Sequence, residues 1–338
     1  MGNTVFSANG RALLKSLPVR KDPVLFSLRP SAVYEKSGNS LFSNKPRNGR
    51  VIQNMKNNRK YLYLLVLLPF LVVALLFEVI PLLMIIFNSF IPDAGGSFTL
   101  ENYMTVFSKP LYKKAIINSI QISCISSAIG IVIAFFGAKA AHESNGRFHT
   151  AFMTVLNMVS NFAGVPLAFA YMIMLGNSGV LLELGKTIGL EALANYKLYT
   201  TQGLTLIYVY FQIPLSTLLL IPAFEGIRKE WQESSLLLGA GPLHFWTKVG
   251  VPVLMPSILG TISVLFANAL AAYATAYALL MNNYALLPIN ISGMFVGDVT
   301  IRKGLGGALS VIMMLLMVIM ILITNSITKK FQKGVRKV

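Results

Sequence analysis

The stretch Glu233-Ser-Ser-Leu-Leu-Leu-Gly239, continued through Ala240 to Pro252, interrupts two long apolar segments with polar and small residues. Its pattern predicts a short helix, a break at glycine, a second short helix and a stop at proline. Gly239 suits the left-handed conformation that ends many helices. The pair Gly241-Pro242 suits a turn that places proline at the first position of the next helix. We therefore expect a helical hairpin here, within the polar loop 225–256.

The hairpin sequence resembles a cytoplasmic loop in permease subunits of type 1 binding-protein-dependent ABC importers. That loop contains a glutamate, two small residues, a glycine and a hydrophobic pair that precedes a proline. The matching positions here are Glu233, Ser234, Ser235, Gly239, Val249, Val251 and Pro252. The family usually has alanines where the two serines stand and often leucine in place of Val251, and both changes preserve the size class.

The resemblance implies that this loop contains a coupling helix, which docks in a groove of a separate ATPase subunit. The coupling residues that it implies are Glu233, Ser234, Ser235, Gly239, Ala240 and Pro252. Small residues fit such a role on physical grounds, because they let a neighbouring protein approach a helix backbone closely. The alternative is an ordinary interfacial helix that lies on the inner membrane surface.

Lipid is the expected solvent for most of this chain. Of its 338 residues, 55% are hydrophobic and 12% are charged, whereas a soluble domain usually carries about 25% charged residues. The mean hydropathy is +0.65. The single cysteine, Cys124, is expected to be a small buried apolar residue, and no cysteine spacing indicates a disulfide or a metal site. We predict no metal and no cofactor on this chain.

Six apolar segments predict an all-α polytopic membrane protein, because each is near the roughly 20 residues that a spanning helix needs. We place them at about 61–90, 115–140, 150–175, 202–224, 257–281 and 308–327. The hairpin then lies between the fourth and fifth spans. Residues 56–338 are the predicted transmembrane domain, with a core of about 112–327.

The first 55 residues are polar, basic and interrupted by prolines. No apolar run there is long enough for the core of a signal peptide, and the composition predicts a largely disordered cytoplasmic segment. A second hypothesis is that translation starts at Met55, because Met55-Lys-Asn-Asn-Arg-Lys60 directly precedes an apolar run. N-terminal sequencing of the native protein distinguishes the two.

The net charge of +17 comes from 29 lysines and arginines against 12 acidic residues. With a cytoplasmic N-terminus, most of the basic residues lie on the inner segments 1–60, 141–149, 225–256 and 328–338. The outer loops hold only Lys109, Lys113, Lys114, Lys186, Lys197, Arg302 and Lys303. The positive-inside rule therefore predicts cytoplasmic termini and a cytoplasmic hairpin, in the cell membrane of a prokaryote. The charge then marks topology and contact with anionic membrane lipid. No interleaving of aromatic and basic residues indicates a nucleic-acid partner.

No catalytic constellation is recognisable in the sequence. The three histidines, His142, His149 and His244, lie in or beside predicted cytoplasmic turns without partner spacing. The nearest approach to a phosphate-binding loop, from Gly179 to Thr187, has one residue too many between its glycines and no preceding strand. We therefore predict that the chain is not an enzyme and that ATP hydrolysis occurs on a separate subunit.

Polar residues inside apolar spans are costly and tend to face the bundle interior or a wet path. In the predicted spans, the two asparagines of the third span are one turn apart. Gln212 and Ser216 share a face of the fourth span, and Asn268 and Thr275 share a face of the fifth. The alternative for each residue is a hydrogen bond between helices. The candidates for a translocation path are Asn157, Asn161, Gln212, Ser216, Asn268, Tyr273 and Thr275.

Beyond the hairpin, the resemblance extends from about residue 100 to residue 330. The run Pro166-Leu-Ala-Phe-Ala-Tyr171 is similar to spermidine/putrescine-like permeases, which implies a polyamine or a similar small solute as cargo. The family also implies partners: two ABC ATPase subunits, a second permease subunit that is a different chain, and an extracytoplasmic substrate-binding protein. The alternative function is a stand-alone secondary transporter or channel not driven by ATP, for which ion-coupling acids or a repeated half would be expected.

Overall fold

Long apolar helices make up most of the chain. The computed structural model describes residues 66–144, 146–281, 284–296 and 301–335, with side chains as far as Gln332. The predictions for the first 55 residues, including a start at Met55, lie outside these residues. By their contacts, Leu67–Val338 form one unit.

Among these described residues, six helical segments are long and apolar enough to cross a membrane, in agreement with the number predicted. Four of them are the single helices α1 (Val66–Asn88), α3 (Pro110–Glu143), α8 (Thr201–Glu225) and α10 (Pro242–Ala271). The segment Val165–Thr187 comprises two helices, α5 (Val165–Leu175) and α6 (Val180–Thr187). The last segment, Lys303–Gln332, is part of α13 (Lys303–Val335). The shorter helices are α2 (Glu101–Ser108), α4 (Gly146–Asn161), α7 (Glu191–Ala194), α9 (Lys229–Leu237), α11 (Tyr273–Leu280) and α12 (Leu287–Phe295). No strand occurs among the described residues. The all-α, multi-pass prediction is therefore confirmed.

The third predicted span, 150–175, is interrupted by a break in the helix. Helix α4 ends at Asn161 and α5 begins at Val165, and the stretch that is long and apolar enough to be a candidate span runs over Val165–Thr187. The break occurs because Gly164 has a φ of +77°, which is open mainly to glycine, and Pro166 then occupies the first turn of α5. The asparagines at 157 and 161 therefore lie on α4, before this break.

The fifth span is displaced, from 257–281 to Pro242–Ala271. The predicted stop at Pro252 is wrong, because the helix passes through this proline without a break. A wide π-helical turn at Trp246–Gly250 directly precedes the segment that begins at Val251, so the hydrogen-bond register changes where Pro252 has no N–H to donate. The helix ends at Ala271, because the ψ of 86° at Ala272 is not helical.

Close packing of α3 against α8 forms the centre of the bundle. A Cβ added at Gly130 would lie 2.9 Å from Cβ of Gln212, and one added at Gly137 would lie 3.2 Å from Oγ1 of Thr217. Glycine at these positions lets the two backbones approach closely. The Ser216 hydroxyl lies on the same contact, 3.4 Å from the Gly130 carbonyl oxygen.

The connections between spans lie at two opposite ends of the bundle. At one end, which we call the loop end, Asn102 Nδ2 donates to the Ile91 carbonyl at 2.8 Å, and the Gly304 N–H donates to Asp93 Oδ1 at 2.7 Å. The other end, which we call the hairpin end, holds the α8–α10 connection. Helices α3 and α8 both run from the loop end to the hairpin end, and α10 returns.

The outer surface of the bundle is apolar, as a protein solvated by lipid requires. None of the most apolar window of α1 is buried against the rest of the chain. The expectation that Cys124 is buried is wrong, because this residue is exposed on α3. An exposed thiol on an apolar helix face fits contact with membrane lipid, which is itself an apolar environment.

Candidate functional site

The hairpin has the local structure that its sequence predicts up to Pro242. Helix α9 ends at Leu237, and Gly239 follows with a φ of +79°. The Ala240 N–H donates to the Ser235 carbonyl at 3.0 Å and the Gly239 N–H to the Leu236 carbonyl at 2.9 Å. This pair of bonds closes a helix C-terminus around a left-handed residue. Pro242 then occupies the first turn of α10, so the chain reverses within a few residues.

A ridge of leucines on the hairpin has almost no cover from the rest of the chain. Leu237 is 88% exposed, Leu238 is 87% exposed and Leu243 is 78% exposed. Apolar side chains exposed together in this way usually mark a surface that contacts another protein or a membrane. The ridge begins directly after the predicted docking residues along the chain, because Ser234 and Ser235 lie on the last turns of α9.

A groove of about 720 Å³ lies between α9 and the start of α10. Three of the predicted coupling residues, Ser234, Ser235 and Ala240, line it together with Leu238 and Lys248. The small side chains leave the α9 backbone accessible at this point, since the Ser234 hydroxyl folds back to donate to the Glu230 carbonyl at 2.7 Å. The groove can therefore receive an apolar or helical element of another protein.

The other predicted coupling residues take different places. Glu233 is exposed on α9 and lies outside the lining of the groove. Gly239 forms the left-handed turn at the tip. Pro252 is half-buried within α10, beyond the groove. The structure thus brings part of the set together and leaves Pro252 apart from it.

Trp246 fixes the hairpin to the bundle, and sequence reasoning did not single it out. The Lys139 Nζ atom of α3 lies 4.8 Å from the centroid of its ring. Ring centroids of Phe135 and Phe224 lie 6.0 Å and 5.9 Å away, so α3 and α8 both contact this side chain. A Cβ at Gly250 would lie 2.4 Å from Cε3 of the ring, which means that Trp246 lies flat against its own helix. The signal in the sequence was a tryptophan in a polar loop, four residues before a glycine.

Gln212, Ser216 and Asn268 come together inside the bundle. Gln212 Nε2 donates to the Leu265 carbonyl at 2.6 Å, and Ser216 Oγ donates to the Gln212 carbonyl at 2.6 Å. Asn268 Nδ2 donates to Gln212 Oε1 at 3.4 Å. Gln212 and Ser216 are fully buried, whereas Asn268 is exposed. The cluster joins α8 to α10 and presents one amide at the surface.

Thr275 does not share a helix face with Asn268, because Ala272 separates α10 from α11. Its hydroxyl instead donates to the Gly164 carbonyl at 3.3 Å, at the break between α4 and α5. Tyr273 and Tyr277 stack with ring centroids 5.1 Å apart on the same short helix. The fifth-span residues therefore form two groups rather than one.

Asn157 and Asn161 are not brought to either group. Both are exposed on α4, where Asn157 Nδ2 donates to the Met153 carbonyl and Asn161 Nδ2 to the Asn157 carbonyl, each at 2.8 Å. Their amides are thus satisfied by their own helix. Among the described residues, no group of three or more His, Cys, Asp or Glu side chains is placed to hold a metal ion.

Comparison with known sequences points to one class of protein. The chain is 26% identical over 195 residues to the sulfoquinovosyl glycerol transport system permease protein SmoH of Agrobacterium fabrum, which covers 57% of this chain and 62% of that protein. It is 26% identical over 193 residues to the spermidine/putrescine transport system permease protein PotB of Escherichia coli, covering 54% and 68%. The chain is related to ABC transport system permeases. No protein-family model matches it.

The match to these permeases is partial in length. The thiamine transport system permease protein ThiP of Escherichia coli is 26% identical over 155 residues, which cover 46% of this chain and 28% of ThiP. The chain thus spans between about a quarter and about two thirds of the length of these three relatives.

Solved structures agree on the fold. A bacterial ABC transporter involved in the import of the acidic polysaccharide alginate superposes with a TM-score of 0.66 at 18% identity, over 83% of this chain and 99% of the other. The MetNI methionine ABC transporter in an inward-facing conformation superposes with a TM-score of 0.51 at 14% identity, over 66% and 99%. At these identities the similarity extends to the fold alone.

Proposed function

We propose that this protein is the membrane-spanning permease subunit of an ATP-driven importer. It forms the translocation path through residues 56–338 and couples to a separate ATPase through the hairpin. The observation that carries the proposal is the hairpin itself. A left-handed glycine, an accessible small-residue groove and an uncovered leucine ridge lie together in the segment that carries the coupling-loop pattern.

The hairpin end is the cytoplasmic end in this proposal. Counted along the full sequence, 22 of the 29 lysines and arginines belong to the segments assigned to that end, which are 1–60, 141–149, 225–256 and 328–338 together with Lys139, and seven belong to the outer loops. The positive-inside rule then supports cytoplasmic placement of the hairpin and of both termini. ATP is available on that side, where a nucleotide-hydrolysing partner could bind the hairpin. The loop end would face outside and receive cargo.

The partners follow from this arrangement. Two ATPase subunits, a second permease subunit of different sequence and an extracytoplasmic substrate-binding protein would complete the importer. One support is the solved alginate ABC transporter, which is in complex with an alginate pentasaccharide-bound periplasmic protein. The chain itself is not an enzyme in this scheme, because hydrolysis belongs to the ATPase.

The cargo is a small polar solute. The names of the relatives include a spermidine/putrescine system, a thiamine system and a sulfoquinovosyl glycerol system. These solutes differ in charge, so the relatives support the transport of a small polar molecule without selecting the polyamine that the sequence resemblance implies.

Affinity purification of the full chain with its ATPase tests the proposal. We expect a stoichiometric ATPase in the purified complex, and no ATP hydrolysis by the chain alone. The double change Leu237→Asp and Leu238→Asp should release the ATPase while the protein stays in the membrane, because both side chains are uncovered in the chain itself. Leu190→Asp is the matched control, since Leu190 is 51% exposed but lies at the loop end. Retention of the ATPase by the double variant, or hydrolysis by the chain alone, would contradict the coupling role and favour a transporter that ATP does not drive.

A further inference from the structure

A second groove, of about 980 Å³, opens at the loop end and is separate from the hairpin. We call it the loop-end groove. One wall is a face of α3, the opposite wall is the first turns of α8, and the segment around α7 covers it from outside. Its volume is at the upper end of the roughly 300–1,000 Å³ typical of sites for small ligands.

Carboxamides converge on this groove. Gln121, Asn195 and Gln202 all line it, and within the described part of the chain none of these three side chains has a hydrogen-bond partner. The hydroxyls of the same wall are already used, since Thr205 Oγ1 donates to the Thr201 carbonyl at 2.7 Å and Thr201 pairs with Tyr284. Three amides are therefore available on these walls to donate to a ligand.

Gln121 places a polar side chain inside a candidate span, on the α3 wall of the groove. It is exposed within the span Pro110–Glu143, where an amide in contact with hydrocarbon would be costly. The sequence alone did not place it among the path residues, because its position relative to α8 appears only in the folded chain. A water-filled cavity that extends into the span would keep this amide hydrated and so avoid the cost of contact with hydrocarbon.

The charge of the groove selects among ligands. Among the residues that the structure describes, Lys197 is the only charged side chain that lines it, and no carboxylate does so. Tyr196 adds a phenol, and burial raises the pKa of this group, so it stays a protonated donor at neutral pH. A polycation would find no counter-charge on these walls, whereas an oxyanion would meet an ammonium group and several N–H donors.

We propose that the loop-end groove is the site where this protein receives its solute, and that the solute carries a carboxylate, sulfate, sulfonate or phosphate group that Lys197 and the amides bind. This refines the proposed function, on which it rests for the direction of transport. It also disfavours a polyamine as cargo. The groove would be the first contact of the solute with the permease on its way from the outer side.

The test uses cysteine labelling to measure the local charge of the groove and whether a ligand occupies it. It needs no ATP. The full-length chain carries Cys124→Ala, which removes its single native thiol, and Leu206→Cys, which places a reporter on the groove wall while the donors stay intact. Ser178→Cys, an exposed loop-end position that does not line the groove, is the matched control. Each protein, in nanodiscs alone and with its co-purified partners, is labelled with an anionic and with a cationic methanethiosulfonate reagent.

We expect the ratio of anionic to cationic labelling rates to be about threefold higher at Leu206→Cys than at the control, as one nearby charge predicts at low salt. Lys197→Gln should remove this difference. Sulfate, compared with chloride at equal ionic strength, should slow labelling of Leu206→Cys by a neutral maleimide at least about twofold, and spermidine should not. Faster cationic labelling, protection by spermidine, or a reporter that does not react because another subunit or lipid fills the groove would each overturn the proposal. Because no ATPase is needed, the result is independent of the hairpin experiments.

Discussion

Lys139 and Trp246 join two parts of the chain that are far apart in sequence, since the Lys139 Nζ atom lies 4.8 Å from the centroid of the Trp246 ring. Lys139 belongs to α3, which runs the full length of the bundle and lines the loop-end groove. Trp246 begins the π-helical turn directly after the hairpin. Trp246 is therefore one of the side chains through which a displacement of the hairpin would reach α3.

The first prediction concerns Trp246. Trp246→Ala removes the ring that Lys139, Phe135 and Phe224 contact, and loss of a packed tryptophan costs about 3–5 kcal/mol. Trp246→Phe keeps an aromatic face and is the matched control. We expect the alanine variant, in the assembled complex, to hydrolyse ATP without solute uptake, whereas the phenylalanine variant keeps most of its uptake. Unchanged uptake per ATP in the alanine variant would exclude Trp246 as a link.

Gly239 gives the second prediction. Its φ of +79° is a conformation that costs an L-residue roughly 1–2 kcal/mol, and a Cβ there would meet no atom of this chain within 4 Å. Gly239→Val should therefore deform the turn and abolish uptake while membrane insertion stays normal. Gly239→Asn should keep substantial uptake, because asparagine tolerates left-handed geometry. Transport assays with quantified membrane protein distinguish these outcomes, and equal uptake by both variants would remove the turn from the mechanism.

The third prediction concerns the groove beside α9. A cysteine at Ser234 or Ser235 should form a crosslink to the ATPase subunit with a short bifunctional reagent, because both positions line that groove. The cysteine at Ser178, at the loop end, should not crosslink to it under the same conditions. Failure of both hairpin cysteines in a complex that demonstrably contains the ATPase would place the docking surface elsewhere.

Much of the architecture follows from hydropathy, because spanning helices need long apolar runs and the chain has six. The broken third span and the displaced fifth span show the limit of that argument. Hydropathy does not mark the break within 150–175, because this break depends on the backbone of Gly164. The continuous helix through Pro252 depends on a π turn that apolar periodicity does not reveal.

The candidate site likewise has some features that the sequence predicts and others that it does not. The turn at Gly239 could be predicted, because left-handed geometry is a local property of glycine. The pairing of Gln212 with Asn268 and the convergence of Gln121 with Gln202 could not, because each joins residues on different helices. A single sequence gives no register between helices. Packing of α8 against α10 brings Gln212 to Asn268, and the close approach of α3 and α8 brings Gln121 and Gln202 to one groove.

The fourth prediction tests that approach. In an exposed helix, replacing glycine with alanine stabilises a protein by about 0.4–1 kcal/mol, because alanine loses less backbone entropy on folding. Gly260, in α10, has no neighbouring atom within 4 Å of an added Cβ, so Gly260→Ala should raise the melting temperature slightly or leave it unchanged. Gly130→Ala should lower it, because the new Cβ would lie 2.9 Å from Cβ of Gln212 and overpacking typically costs about 1–3 kcal/mol. Thermal unfolding of both variants in the same detergent gives the comparison. A Gly130→Ala protein as stable as Gly260→Ala would mean that α3 and α8 are further apart in the membrane than this packing requires.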